Sequence, residues 1–218
     1  LWQSPGGKAV LGYENDITRA MAADCRGCRC WFTRLRETDN GAFLRADGML
    51  CMAENGTVTP VVSRDEVKLR GLHNIENLLA AIAAVWGRVP VSAMADTARS
   101  FTGVEHRIEP VRLLDGVQWY NDSIASSPTR TIAGLRSFDR KIIIIAGGYD
   151  KNIPYEPLAP EILEHVKVLV LMGATGPKIE KAVRQCPGFV ESGLVILHAR
   201  DMKEAVDAAR AAAKPGDI

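Results

Sequence analysis

The chain has 218 residues, 47% of them hydrophobic and 24% charged, with a formal net charge of +1 at neutral pH. That length allows one large domain or two modest ones, and the near-neutral balance excludes a general attraction to nucleic acid or to an anionic membrane. The longest uncharged apolar run, Leu78 to Gly87, is far too short to cross a bilayer.

Five cysteines, an odd number, argue against a closed disulfide framework and for a reducing cytoplasm. No signal peptide is recognisable, and the first residue is Leu1 rather than Met. The chain stops at Lys214-Pro215-Gly216-Asp217-Ile218, where a strand is due, so it is expected to be a piece of a longer protein.

In chain order, Lys8 to Leu11 reads as a short buried strand, followed by a helix capped by Asp16 and running through Ala23. Cys30 to Thr33 reads as a second strand. Cys25-x-x-Cys28 has zinc-like spacing, but no second C-x-x-C closes a four-ligand set. The favoured reading is a loop leading into a strand, with the thiols packed as small apolar groups. Asp39-Asn40-Gly41, Ala46-Asp47-Gly48 and Glu54-Asn55-Gly56 are hairpin turn signals, so a small antiparallel β region is expected over residues 42–69.

From Leu72 the period changes. Leu72, Ile75, Leu78, Leu79, Ile82, Val85 and Trp86 form one helical stripe, with His73 and Asn77 on another face. A helix over residues 92–100 follows Pro90. The connector 101–107 lacks periodicity, and the domain boundary is placed there. Strand and helix then alternate over 116–121, 128–138, 141–146, 157–166, 167–172, 176–185, 194–197 and 201–213. Apolar runs such as Ile142–Ile145 and Val168–Leu171 suit strands buried on both faces of a parallel sheet. The last helix should carry a capping box, Asp201 with Glu204.

Residues 116–154 carry the most chemistry. A strand ends in Asn121-Asp122-Ser123, Ser127-Pro128 opens a helix, and the strand Ile142–Ile145 runs into Gly147-Gly148-Tyr149-Asp150-Lys151-Asn152. Two strand ends would thus bring a carboxylate and an ammonium to one edge of a parallel sheet, where open α/β folds place ligands. The helix N-terminus at Pro128 is suited to an anion such as an amino-acid carboxylate. No segment satisfies the P-loop G-x-x-x-x-G-K-S/T. Gly6-Gly7-Lys8 lacks the upstream glycine, and Gly173-Ala174-Thr175-Gly176-Pro177 reads as a strand-to-helix turn.

The 116–154 stretch, the helix segment GLHNIENLLAAIAAV and the connector GVEHRIEP resemble the Mur ligases, the ATP-dependent amide-forming enzymes of peptidoglycan synthesis. The resemblance implies an α/β fold in two parts. Residues 1–104 would be the end of a central ATPase-type domain with the small antiparallel β region. Residues 105–218 would be a Rossmann-like C-terminal domain with a mostly parallel sheet, truncated at its end.

Within the family the likeness is greatest to the branch that adds D-glutamate to UDP-N-acetylmuramoyl-L-alanine through an acyl phosphate. The resemblance implies ATP and Mg²⁺, with the P-loop and metal ligands outside this chain. It also implies a cytoplasmic monomer acting on small molecules, with neither nucleic acid nor membrane as partner.

By the same resemblance Asn77 would hydrogen-bond adenine, Arg107 would reach the nucleotide, and Asp122 would accept ribose hydroxyls. Ser126 would contact D-glutamate, and Lys151 would meet both D-glutamate and the reacting phosphate. Each position also has an ordinary reading: a helix start for His73 and Asn74, an ion pair of Arg107 with Glu105 or Glu109, a turn aspartate, and a solvated loop lysine. Where the family motif N-D-S-K-A-T-N has lysine and threonine, this chain has Ile124 and Ser126, so one positive charge is missing. Three readings stay open: the D-glutamate-adding branch, a sibling amino-acid ligase, and a non-catalytic nucleotide-binding module of the same fold. The D-N-P-R of dibasic-residue ligases and the H-H-P-T of alanine-adding ones are both absent.

Overall fold

The computed structural model describes residues 3–218. They form two compact units that divide between Thr102 and Gly103.

The first unit is built on one five-stranded sheet: β1 (Lys8–Gly12), β2 (Cys28–Thr33), β3 (Gly41–Leu44), β4 (Met49–Glu54) and β5 (Thr57–Ser63), in that spatial order. β1, β2 and β3 run parallel, and β3, β4 and β5 are antiparallel neighbours. The expected hairpin region is therefore present, and it continues the parallel strands within the same sheet. Alternation decides which side chain faces which side. On β4, Leu50 and Met52 point into the main core, while Cys51 and Ala53 join Phe43 in a small cluster of their own.

The main core is closed by α2 (Leu72–Val85) and α3 (Val91–Ser100), through Ile75, Leu79, Ile82 and Ala83 of the first and Met94, Ala95 and Ala98 of the second. The short helix α1 (Asp16–Met21) is capped differently from expectation. Asn15, not Asp16, is the N-cap, and its Oδ1 accepts from Ile17 N and Thr18 N at 3.0 and 3.2 Å. An amide one residue earlier provides the same acceptor that the aspartate was expected to give. All five cysteines are free thiols, and burial pushes the Cys30 thiol up.

The second unit opens with a hairpin, β6 (Glu109–Leu114) and β7 (Val117–Asn121), turned by Asp115-Gly116 with both residues at positive φ. β6 was not expected, although an Asp-Gly pair between two apolar segments is the ordinary signal for such a turn. Next come α4 (Pro128–Leu135), β8 (Ile142–Gly147), α5 (Ala159–His165), β9 (Val166–Met172), α6 (Gly176–Gln185), β10 (Val195–His198) and α7 (Met202–Ala212). The order β10-β9-β8 is parallel throughout.

Helices cover both faces of this parallel sheet. Leu169 and Leu171 pack with α5 and α6, while Val168 and Val170 pack with Ala205 and Ala209 of α7. That double burial explains why these strands read as unbroken apolar runs. The Asp201 cap forms with Glu204 N at 2.8 Å, but the Glu204 carboxylate turns back to Arg200 N at 2.9 Å rather than to Asp201 N.

One expectation about the sheet is corrected. β7 does not pair with the parallel strands but with β6, in a separate two-stranded sheet. Asp217 and Ile218 lie between β7 and β8: Gln118 N donates to Asp217 O at 3.0 Å, and Ile143 N donates to Ile218 O at 2.8 Å. Beyond them a groove of about 580 Å³ separates the two strands, lined among others by Trp119, Ile143, Ile145 and Val206. The Trp119 Nε1 is buried there without a hydrogen-bond partner. The carboxylate and the ammonium therefore stand at the ends of strands from two different sheets, across a groove.

Among the described residues, no helix is long and apolar enough to cross a membrane.

Candidate functional site

Lys151 and Ser126 are brought together. The Lys151 Nζ donates to Ser126 Oγ at 2.8 Å, joining the loop after β8 to the turn before α4. Both side chains are exposed at the mouth of the groove, and Asp122 lines the same groove from the end of β7. An ammonium of this kind has three donors, so two remain after Ser126 is served.

The loop is shaped by paired glycines. Gly147 has φ of 138°, and a Cβ there would stand 1.8 Å from Met172 O, so only glycine lets β8 run this close to β9 before turning out. Gly148 follows at φ 136°, and Asn152 closes the loop at φ 55° with its N–H on Asp150 Oδ1.

Ser127 stands at the N-cap of α4, but its side chain caps nothing; Pro128 supplies the first helical residue, as expected where Ser127-Pro128 opens the helix. Arg130 N and Thr131 N donate to Ser127 O at 3.1 Å, which leaves Thr129 N as the first-turn donor that faces outward to an anion.

Asp122 is half-buried. Its Oδ1 accepts from Ile108 N at 3.1 Å, and its Oδ2 comes so close to Gly134 that a Cβ there would be 2.8 Å away. Burial pushes the Asp122 carboxyl up from the ordinary aspartate range, opposed by the Ile108 N–H and by the charge of Arg107. Arg107 is exposed and forms no ion pair with Glu105 or Glu109. Glu109 instead accepts from His106 N at 2.8 Å and from Asn121 Nδ2 at 3.3 Å. His106 itself braces the connector, at φ 64° with its Nδ1 2.8 Å from Asn121 Nδ2.

Asn77 lies in the first unit, on α2. Its amide nitrogen donates to Asn74 Oδ1 at 3.3 Å, and Asn74 in turn reaches back to Arg70 O at 2.6 Å. The Asn77 carbonyl oxygen stands outside that chain of amides, so the side chain keeps one acceptor and part of its donor capacity.

Two residues beside the site went unread in the sequence. Arg130, two residues into α4, sends its guanidinium to Ile124 O at 3.3 Å, so a cation stands beside the position where the motif's lysine is missing. Nothing in a one-dimensional pattern ties residue 130 to residue 124. Lys178 of α6 bonds Asp150 within the Lys151 loop. Its own pattern, a lysine on an amphipathic helix, gives no hint of that contact.

The residues present offer no convincing place for Mg²⁺. Among the described residues the grouping able to hold a metal is Glu161, Glu164 and His165 on α5. Glu161 is already held by the Arg136 guanidinium, which keeps its carboxyl below the usual range, and the grouping does not line the groove.

Residues 106–218 match the model of the Mur ligase glutamate ligase domain, and the chain belongs to the Mur ligase family. Its relatives include a UDP-N-acetylmuramoylalanine–D-glutamate ligase of Acetivibrio thermocellus, 47% identical over 219 residues. That match takes in 100% of this chain and 47% of the relative, so the chain spans about half the length of the curated relatives it matches. Among solved structures, a murein peptide ligase from Psychrobacter arcticus superposes with a TM-score of 0.64 at 18% identity, over 98% of this chain and 47% of that one. A folylpolyglutamate synthase of Mycobacterium tuberculosis, solved with ADP, gives 0.61 at 16% identity, over 94% and 47%. These two likenesses speak for the fold.

Proposed function

We propose that the full-length protein containing this chain is an ATP-dependent ligase that joins D-glutamate to UDP-N-acetylmuramoyl-L-alanine, in the cytoplasm, as a monomer acting on small molecules. In this reading residues 1–104 are the end of the ATP-binding central domain and residues 105–218 the amino-acid-binding domain. The P-loop and the Mg²⁺ ligands belong to parts of the protein outside this chain. Support comes from the 47% identity to a ligase of that name and from the pairing of Lys151 with Ser126 at the mouth of the α4 anion site. The second observation carries the assignment of the site.

The chemistry runs in two steps. A carboxylate oxygen of the alanyl residue takes the terminal phosphoryl group of ATP, and ADP leaves. The D-glutamate amine then attacks the acyl carbon, the carbon–oxygen bond to phosphate breaks, and an amide and free phosphate result. Positioning and charge stabilisation supply most of such catalysis.

Lys151 faces the negative charge that collects on the phosphate and incoming amino acid. Ser126 and the Thr129 N–H at the start of α4 hold a carboxylate of D-glutamate. Asp122 offers Oδ2 to ribose hydroxyls while Oδ1 stays on Ile108 N, Arg107 gives a permanent, forked charge to the nucleotide, and Asn77 pairs with the adenine edge. Arg130 supplies the cation that Ile124 does not.

Steady-state kinetics of Lys151→Ala in the full-length ligase test this reading. The expected loss is about a hundredfold in kcat, or on the order of 3 kcal/mol of transition-state stabilisation, with the fold intact. Wild-type turnover with unchanged dependence on D-glutamate would return Lys151 to the status of a solvated loop charge.

A further inference from the structure

The turn after β9 and the first turn of α6 fasten the loop that carries Lys151, through three different residues. Gly173 approaches so closely that a Cβ on it would stand 2.9 Å from Gly148 N. Thr175, only 3% exposed, donates its backbone N–H to Gly148 O at 3.2 Å, with its Oγ1 3.5 Å from the same oxygen. Lys178 donates its Nζ to Asp150 Oδ2, and Asp150 Oδ1 holds Asn152 N. Asp150 and Asn152 flank Lys151, so one carboxylate ties both sides of the lysine to α6. The Lys178 ammonium, together with the Asn152 N–H, keeps the Asp150 carboxyl below its usual range.

We propose that Lys178 is a positioning residue: through Asp150 it holds the Gly147–Asn152 loop in the form that sets the Lys151 ammonium on Ser126. The inference rests on the role given to Lys151 above. Asp150 keeps 25% of its side-chain exposure and Lys178 keeps 51%, so the pair adds little to global stability. Its consequence falls on placement. A catalytic group misplaced by about an ångström can cost up to about a hundredfold in rate.

The test is steady-state kinetics of the full-length ligase with Lys178→Met, Lys178→Arg, Lys151→Ala and the Lys178→Met/Lys151→Ala double variant. Lys178→Met should lower kcat about tenfold and raise the KM for D-glutamate, as misplacement of the Lys151 ammonium requires. Lys178→Arg should restore most of the loss. In the Lys151→Ala background Lys178→Met should cost nothing further, since a residue acting only through Lys151 has nothing left to place. Lys203→Met, on the outer face of α7 with its side chain 88% exposed, is the control.

Equal losses in the two backgrounds, or wild-type kinetics for Lys178→Met while Lys151→Ala is impaired, would overturn the positioning role alone. A silent Lys151→Ala would overturn the site and the positioning role together. The thermal midpoint of Lys178→Met, expected near wild type, separates loss of placement from loss of fold, and a large drop would overturn the proposal.

Discussion

At the scale of single residues, the site mixes groups whose environment is already settled with groups left open. Asp122 is the settled one, since burial holds its carboxyl above the ordinary value of 3.8. A carboxyl raised on folding contributes stability below its unfolded pKa, and that contribution is lost as pH rises through the folded value. Asp122→Asn keeps the acceptor for Ile108 N and removes the buried charge. It should therefore raise the thermal midpoint at pH 7, with the gain fading below about pH 3.8, as a pH series of melting curves would read. The same change should weaken nucleotide binding in the full-length ligase.

Arg130 is the open one. If it replaces the charge missing at Ile124, Arg130→Ala should raise the KM for D-glutamate severalfold and leave the KM for ATP alone. Gly147 is decided by space: Gly147→Ala brings a Cβ onto Met172 O and should cost about 3 kcal/mol or more in denaturant unfolding.

At the scale of elements, the helices and buried strands of the second unit were legible because their patterns are strong. The amphipathic stripe of α6 fixes both its ends as expected, and the unbroken apolar runs of β8 and β9 follow from helices on both faces. The β6–β7 hairpin was missed although its Asp115-Gly116 turn was in view, because β6 exposes Val111 and Leu113 and lacks a buried face to announce it. That turn gives a direct check. Gly116 has φ of 78°, and a Cβ there would stand 3.0 Å from the Pro215 side chain. Gly116→Val should loosen the hairpin by more than about 1 kcal/mol, seen as faster amide exchange at Gln118, whose N–H is held by Asp217 O.

At the scale of the whole molecule, each unit has its own core, and the sequence contains no P-loop motif to cradle a triphosphate. This chain alone is therefore expected to form no ADP from ATP in the presence of D-glutamate and the UDP-linked acceptor; turnover above a protein-free control would overturn that account. Residue pattern by itself determined the α/β class, the helix and strand order of the second unit from β7 onward, and the family resemblance. Those signals are local: periodicity, turn residues and motif spacing act over a few residues and survive in one dimension. Only the tertiary structure decided that β7 leaves the parallel sheet for β6, that Lys151 rests on Ser126, and that Arg130 and Lys178 stand beside the site. The contacts of Lys151 with Ser126 and of Lys178 with Asp150 join backbones 25 and 28 residues apart, and the close approaches of Gly147 and Gly173 help to fix that.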